Sequence, residues 1–134
     1  MEILQPPNWP RPRGYANGIA ASGRYICVSG MVGWNQQAQF ETDDFAGQVR
    51  QALLNIVAVL REAQAGPEHI VRMTWYVTNK QEYIAAYKAI GQAYREIIGS
   101  HYPAMTAVQV QALIEDRAKV EIEVTAIAPE PTST

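Results

Sequence analysis

DDFAGQVRQALLNIVAVLREAQAGPEHIVRMTWYVTN, residues 43–79, carries two different periodicities in succession. Phe45, Val49, Ala52, Leu53, Ile56, Val57 and Leu60 recur every three or four positions, the spacing that lines one face of an α-helix. Thr42, Asp43 and Asp44 offer oxygens for its N-cap. The pattern stops near Gly66-Pro67, where glycine permits a left-handed turn and proline forbids continuation. Alternation then takes over: Val71, Met73, Trp75 and Val77 against Arg72, Thr74 and Tyr76, the period of a strand covered on one face.

Working outward, Asn79 or Lys80 opens a second helix with Tyr83, Ile84, Tyr87, Ile90, Tyr94 and Ile97 as its stripe, and Gly99 closes it. TAVQVQAL (106–113) and KVEIEVTAIA (119–128) read as strands on either side of the charged turn IEDR. Upstream, GIAASGRYICVSGMVGW (18–34) reads as two short strands around the Ser22-Gly23 turn. The predicted order is β-β-α-β-α-β-β, an α+β sandwich layer with two helices on one face of a mixed sheet. Val108, Val110 and the strand from Val120 to Ala128 are expected to leave apolar side chains on both faces, and no sequence remains for a third layer. An obligate oligomer is the expected cover.

The 134 residues fit one domain, read as an extended arm over 1–13 with Pro6, Pro7, Pro10 and Pro12, a single domain over 14–128, and a polar tail over 129–134. Eleven Lys and Arg against thirteen Asp and Glu give a net charge of −2, and the basic residues are scattered, which disfavours nucleic acid as a partner. Cys27, the single cysteine, has no intrachain partner; within YICVSG it reads as a small buried hydrophobe in a reducing compartment. With no secretory signal pattern and no apolar run near the ~20 residues needed to span a bilayer, the expectation is a cytoplasmic protein without a membrane partner. His69 and His101 have no second ligand at metal spacing, so no metal site is predicted. Neither a Gly-x-Ser-x-Gly elbow nor a phosphate-cradling glycine loop occurs.

Four segments share their order and spacing with one family. GYANGIAASGRYICVSGMVGW (14–34), QVRQALLNIVAVLREAQAG (48–66), YPAMTAVQVQAL (102–113) and KVEIEVTAIA (119–128) resemble the opening hairpin, first helix, proline-alanine corner and closing strand of the RidA/YjgF reactive intermediate deaminases, also called endoribonuclease L-PSP or translation inhibitor proteins. The resemblance implies a chorismate-mutase-like subunit, a homotrimer with one site in each cleft between neighbours, and no metal or organic cofactor. It further implies an arginine after Pro-Ala that pairs with the carboxylate of an enamine or imine, and a strand glutamate that positions water for C=N hydrolysis to a 2-oxo acid and ammonia. On this sequence the arginine position falls on Met105 and the glutamate on Glu121. Tyr15 matches the aromatic of the opening segment, Gly30 the glycine of a Ser-Gly-Gln corner with Met31 replacing the glutamine, and Tyr87 stands where an asparagine is usual.

Met31, Tyr87 and Met105 therefore replace polar groups. A thioether cannot reproduce the bidentate fork that arginine offers a carboxylate, a loss of about 2 to 5 kcal/mol by analogy with truncated charge pairs. Two readings follow: a deaminase or hydrolase whose larger, more apolar substrate packs on Met31, Met105, Trp34 and Tyr15, or a trimer cleft that binds a hydrophobic acid or a partner without turnover or is no site at all. RNA cleavage, suggested by the family's other name, is opposed by the charge balance. Glu121 and Glu123 share one strand face; a solvated acidic stripe is the plain reading of both, and the closing-strand match singles out Glu121 as the water-orienting group. Arg24, Arg72 and Arg117 are candidate replacement cations, each equally an ordinary surface charge, while Trp75 is assigned to the core and Trp34 to a cleft wall or interface.

Overall fold

The computed structural model describes residues 1–131. Strands β1 (Glu2–Leu4), β2 (Gly18–Ala20) and β3 (Arg24–Val32) precede helix α1 (Phe45–Glu62), and β4 (Ile70–Val77) follows it. Helices α2 (Lys80–Ala85) and α3 (Tyr87–Ile97) then lead to β5 (Ala104–Gln109) and β6 (Val120–Ala128). The main sheet has the order β3-β6-β4-β5, parallel between β4 and β5 and antiparallel elsewhere, with β1 and β2 forming a small sheet of their own. This is the predicted α+β class. No helix among the described residues is long and apolar enough to cross a membrane.

Helix α1 forms where its periodicity predicts. Asp44 is the N-cap, its Oδ2 accepting from the Gly47 N–H at 2.9 Å, and Val49, Ala52, Leu53, Ile56 and Leu60 are fully buried against the sheet. The helix ends earlier than expected, at Glu62, and the left-handed residue that turns the chain is Gln64 (φ 53°) rather than Gly66. The Arg24 guanidinium donates to the Ala63 carbonyl there, satisfying one of the acceptors that a helix end leaves open.

Three expectations are corrected. The predicted second helix is two helices: Asn79 caps α2, with its Oδ1 2.9 Å from the Glu82 N–H, and the backbone leaves the helical track at Ala86 (φ −96°, ψ 5°). That break changes the phase of the stripe, so Ile90 and Tyr94 face the core while Ile84 and Tyr87 are exposed. The opening hairpin does not form either. β2 pairs with β1 through Ile3 and Ile19, which ties back the N-terminal arm, and β3 pairs with β6 instead. The chain switches sheets at Gly23 (φ +142°), where an added Cβ would lie 2.1 Å from the Ala128 carbonyl oxygen, so only glycine admits the last residue of β6 this closely.

The third correction concerns the face of the sheet turned away from the helices. Val120, Ile122, Val124, Ala126 and Ala128 of β6 point into the core, which leaves Glu121, Glu123, Thr125 and Ile127 for the other face. Thr125 lies opposite the exposed Cys27, and Arg72, Thr74 and Tyr76 of β4 occupy the same side. The open face is therefore mixed rather than apolar, with Tyr25 and Val108 its exposed large hydrophobic groups. Cys27 belongs to that face and not to the core, because the even positions of β3 take the core side there.

Candidate functional site

Two register shifts decide where the candidate side chains go. In β3 the pairing with β6 jumps between Val28 and Met31, so Ser29 and Gly30 form a bulge. A Cβ at Gly30 would lie 2.5 Å from Glu121 Oε2 and 2.7 Å from Glu121 Cδ; the carboxylate occupies the notch that the missing side chain leaves. Glu121 is half-buried and opposite Val32 on one side and Tyr76 on the other. Its neighbour on that face, Glu123, accepts a 2.7 Å hydrogen bond from the Tyr76 hydroxyl, which together with burial pushes the Tyr76 phenol above its usual range.

In β4 the shift between Ile70 and Arg72 sets Met73 and Trp75 toward the helices. Met105 of β5 pairs with Met73 and packs against the core from its partly buried position. Proline 103 is fully buried, and its carbonyl accepts from the Ala16 N–H at 2.9 Å, while Ala16 bridges in parallel to Ala104. This short pairing extends the sheet past β5 and delivers Tyr15 to the same place.

Tyr15, Met105 and Tyr87 consequently line one cavity of about 650 Å³ between the β5 edge and helices α2 and α3. Trp75 and Tyr83 form one wall, with ring centroids 6.3 Å apart. Tyr87 meets Tyr83 edge to face at 5.1 Å. Tyr94 and Tyr102 stack at 5.3 Å with an 11° interplanar angle, and the Tyr94 hydroxyl donates to the His101 carbonyl at 2.6 Å. Burial pushes the Tyr94 phenol far up, and Tyr83 is raised for the same reason.

The remaining candidates lie elsewhere. Glu121 with Gly30 sits on the open face near the β3 edge, whereas Met105 faces the helices on the β5 edge, so a single chain does not bring them onto one ligand. Met31, opposite Ile122, packs against the core, and Trp34 lies 6.0 Å from Phe40 with its carbonyl bound by Asn55 Nδ2 at 2.8 Å. Neither borders the cavity. Of the three candidate cations, Arg24 is engaged at the end of α1 and Arg117 with Asp43 at 2.9 Å, leaving Arg72 on the open face. His69 accepts from the Gly66 N–H and His101 contacts the Ile70 carbonyl at 2.6 Å.

Sequence reasoning missed both cations of the cavity, Arg13 and Arg95, and treated Trp75 as core alone. The tyrosines were visible as an unusual number of hydroxylated rings in a helix stripe, Tyr83, Tyr87 and Tyr94, where aliphatic residues would serve packing alone. Nothing local marked the arginines, since they come from the arm and from the exposed side of α3.

Known proteins are similar to this chain over almost its full length. A RutC family protein of Aquifex aeolicus is 32% identical over 130 residues, covering 95% of this chain and 99% of its own. The RutC family protein slr0709 of Synechocystis is 31% identical, covering 96% and 98%. Among solved structures, the Rid family protein YyfB of Yersinia pestis superposes with a TM-score of 0.83 at 31% identity, covering 95% of this chain and 98% of its own. Escherichia coli TdcF, solved with bound serine, gives 0.67 at 26%, covering 96% and 99%. The family described as Endoribonuclease L-PSP matches residues 10–128, and with that order of elements and these relatives the chain belongs to this RidA/YjgF family.

Proposed function

We propose that the protein is a RidA-like deaminase that hydrolyses the C=N bond of an enamine or imine to a carbonyl compound and ammonia. The observation that carries the reading is the carboxylate of Glu121 lodged in the notch at Gly30, a placement that fixes an acceptor beside an open patch of backbone. A carboxylate held there orients water toward the sp² carbon. As the C–O bond forms, Glu121 takes one water proton and returns it to nitrogen, giving a carbinolamine; Glu121 then takes the hydroxyl proton and passes it to nitrogen as the C–N bond breaks, so that ammonia leaves and the C=O bond forms. An enamine enters the same route after protonation at carbon.

The site in this reading is completed between subunits of a homotrimer, where the Glu121–Gly30 edge of one copy meets the Tyr15–Met105 edge of another. The separation of the two half-sites within one chain supports this, as does the exposure of Tyr25 and Val108 on the uncovered sheet face. The serine bound in the TdcF structure supports an amino-acid-like ligand for the fold. Glu121→Gln is the test: with imines generated in situ from a range of amino acids, wild type accelerates ammonia release and the variant loses about 100-fold or more. A wild type inactive on the whole panel sinks the reading. Met105 favours one second reading, a trimer that binds an acid without turnover; ligand retained in the cleft with no product after long incubation supports it. The third candidate, RNA cleavage, returns only if RNA binds in a salt-sensitive manner at physiological ionic strength.

A further inference from the structure

We propose that the cavity behind Met105 selects a carboxylate with an aromatic or similarly large apolar body, and that Arg13 and Arg95 form its anion clamp. The inference rests on the deaminase reading for the reaction and names the substrate class. About 650 Å³ lies in the range of pockets that enclose drug-sized ligands. It is many times the roughly 30 Å³ that one water takes up in the liquid, more than a three-carbon imine fills. The walls are rings on both sides: Trp75 with Tyr83 and Tyr87, and the stacked pair Tyr94 and Tyr102.

An aromatic box of this kind also suits an organic cation. The charges decide against one. Within one chain two guanidinium groups and no carboxylate line the cavity, and a single Glu121 carboxylate contributed by a neighbouring copy leaves the positive charges in excess. Both arginines are exposed, and among the described residues neither has an ion-pair or hydrogen-bonding partner, unlike Arg24 and Arg117. Arg13 directly precedes Gly14 and Tyr15, in the segment that Ala16 fastens to Pro103 and Ala104. Arg95 folds back along α3 to within 3.3 Å of where a Gly91 Cβ would stand, and Gly91 lines the cavity too, so the absent side chain leaves the guanidinium room.

With Met105 as an apolar floor and cations at the rim, a long acid spans both, while a short one reaches only one of them. The size preference follows from the cavity's volume and its ring-lined walls rather than from any new chemistry.

Titration calorimetry on the full chain with unreactive probes tests the clamp: 3-phenylpropanoate, propanoate and 3-phenylpropan-1-ol. The expected order is 3-phenylpropanoate at least about tenfold tighter than either of the others, from ring burial on one count and charge on the other. The Arg13→Gln/Arg95→Gln pair of substitutions loses about tenfold for the phenyl acid and nothing for the alcohol, whereas the double Lys variant keeps most of the affinity. Equal affinity for all three probes, or a double Gln variant that binds the phenyl acid as wild type does, overturns the proposal. If the probes bind in the expected order and no imine is turned over, the clamp stands and the deaminase reading falls; turnover of 2-aminoacrylate without preference among the probes overturns the clamp alone.

Discussion

Gln48→Leu removes the polar knot that holds the approach to β6, and its cost is legible in three hydrogen bonds. Gln48 is fully buried on α1. Its Nε2 donates to the Arg117 carbonyl at 3.0 Å and to the Thr42 carbonyl at 3.1 Å, while Oε1 accepts from the Lys119 N–H at 2.8 Å. Gly33 passes directly above it, where a Cβ would stand 2.5 Å from the Gln48 carbonyl oxygen. Leucine keeps most of the volume and strands one donor and two acceptors. A net hydrogen bond contributes about 1 kcal/mol, and an orphaned buried donor costs about 1 to 3 kcal/mol; because Thr42 and Lys119 are only half-buried and Arg117 is exposed, water recovers part of this. The expected loss is roughly 2 to 4 kcal/mol. Urea unfolding at one fixed protein concentration measures it, with Gln92→Leu on exposed α3 as a control expected to stay within about 0.5 kcal/mol. A Gln48→Leu protein destabilised by less than about 1 kcal/mol would refute the reasoning, since the three bonds would then contribute no more than water does.

Gly30→Ala forces the Glu121 side chain out of its notch at a cost of about 1 kcal/mol of stability for an altered rotamer, yet lowers imine hydrolysis by about 100-fold through displacement of the carboxylate; urea unfolding beside steady-state rates separates the two effects. Met105→Arg places a cation against the apolar side of the cavity and is expected to raise turnover of 2-aminoacrylate above wild type, with ammonia release as the measure; no gain argues against a latent deaminase frame. Tyr94→Phe reports on burial: the folded protein keeps the phenol protonated where the unfolded chain loses its proton above pH ~10, so the stability it contributes is present below that pH and is lost as pH rises. Wild type should lose up to about 1.4 kcal/mol per pH unit more than the phenylalanine variant there, seen as converging stabilities in alkaline urea titrations.

The elements were legible wherever a period ran long enough. Helix α1 and strand β4 follow from spacings of three to four and of two, because backbone geometry alone puts those residues on one face. The family, too, was readable from four ordered segments. What local spacing cannot carry is register. The Ser22-Gly23 turn reads as a hairpin, but the close passage of the Ala128 carbonyl, far along the chain, sends β2 and β3 into different sheets.

The same holds for the candidate site. Sequence alone determined the family, with Met105 after Pro-Ala and Glu121 in the closing-strand segment. Only the tertiary structure decided that they face opposite sides of the sheet, that Gly30 makes room for the carboxylate, and that Arg13 and Arg95 reach one aromatic cavity. The physical reason is that a strand's parity is set by bulges and by its partner's register, and a cavity by segments that meet only after folding; neither leaves a periodic mark in the residues nearby.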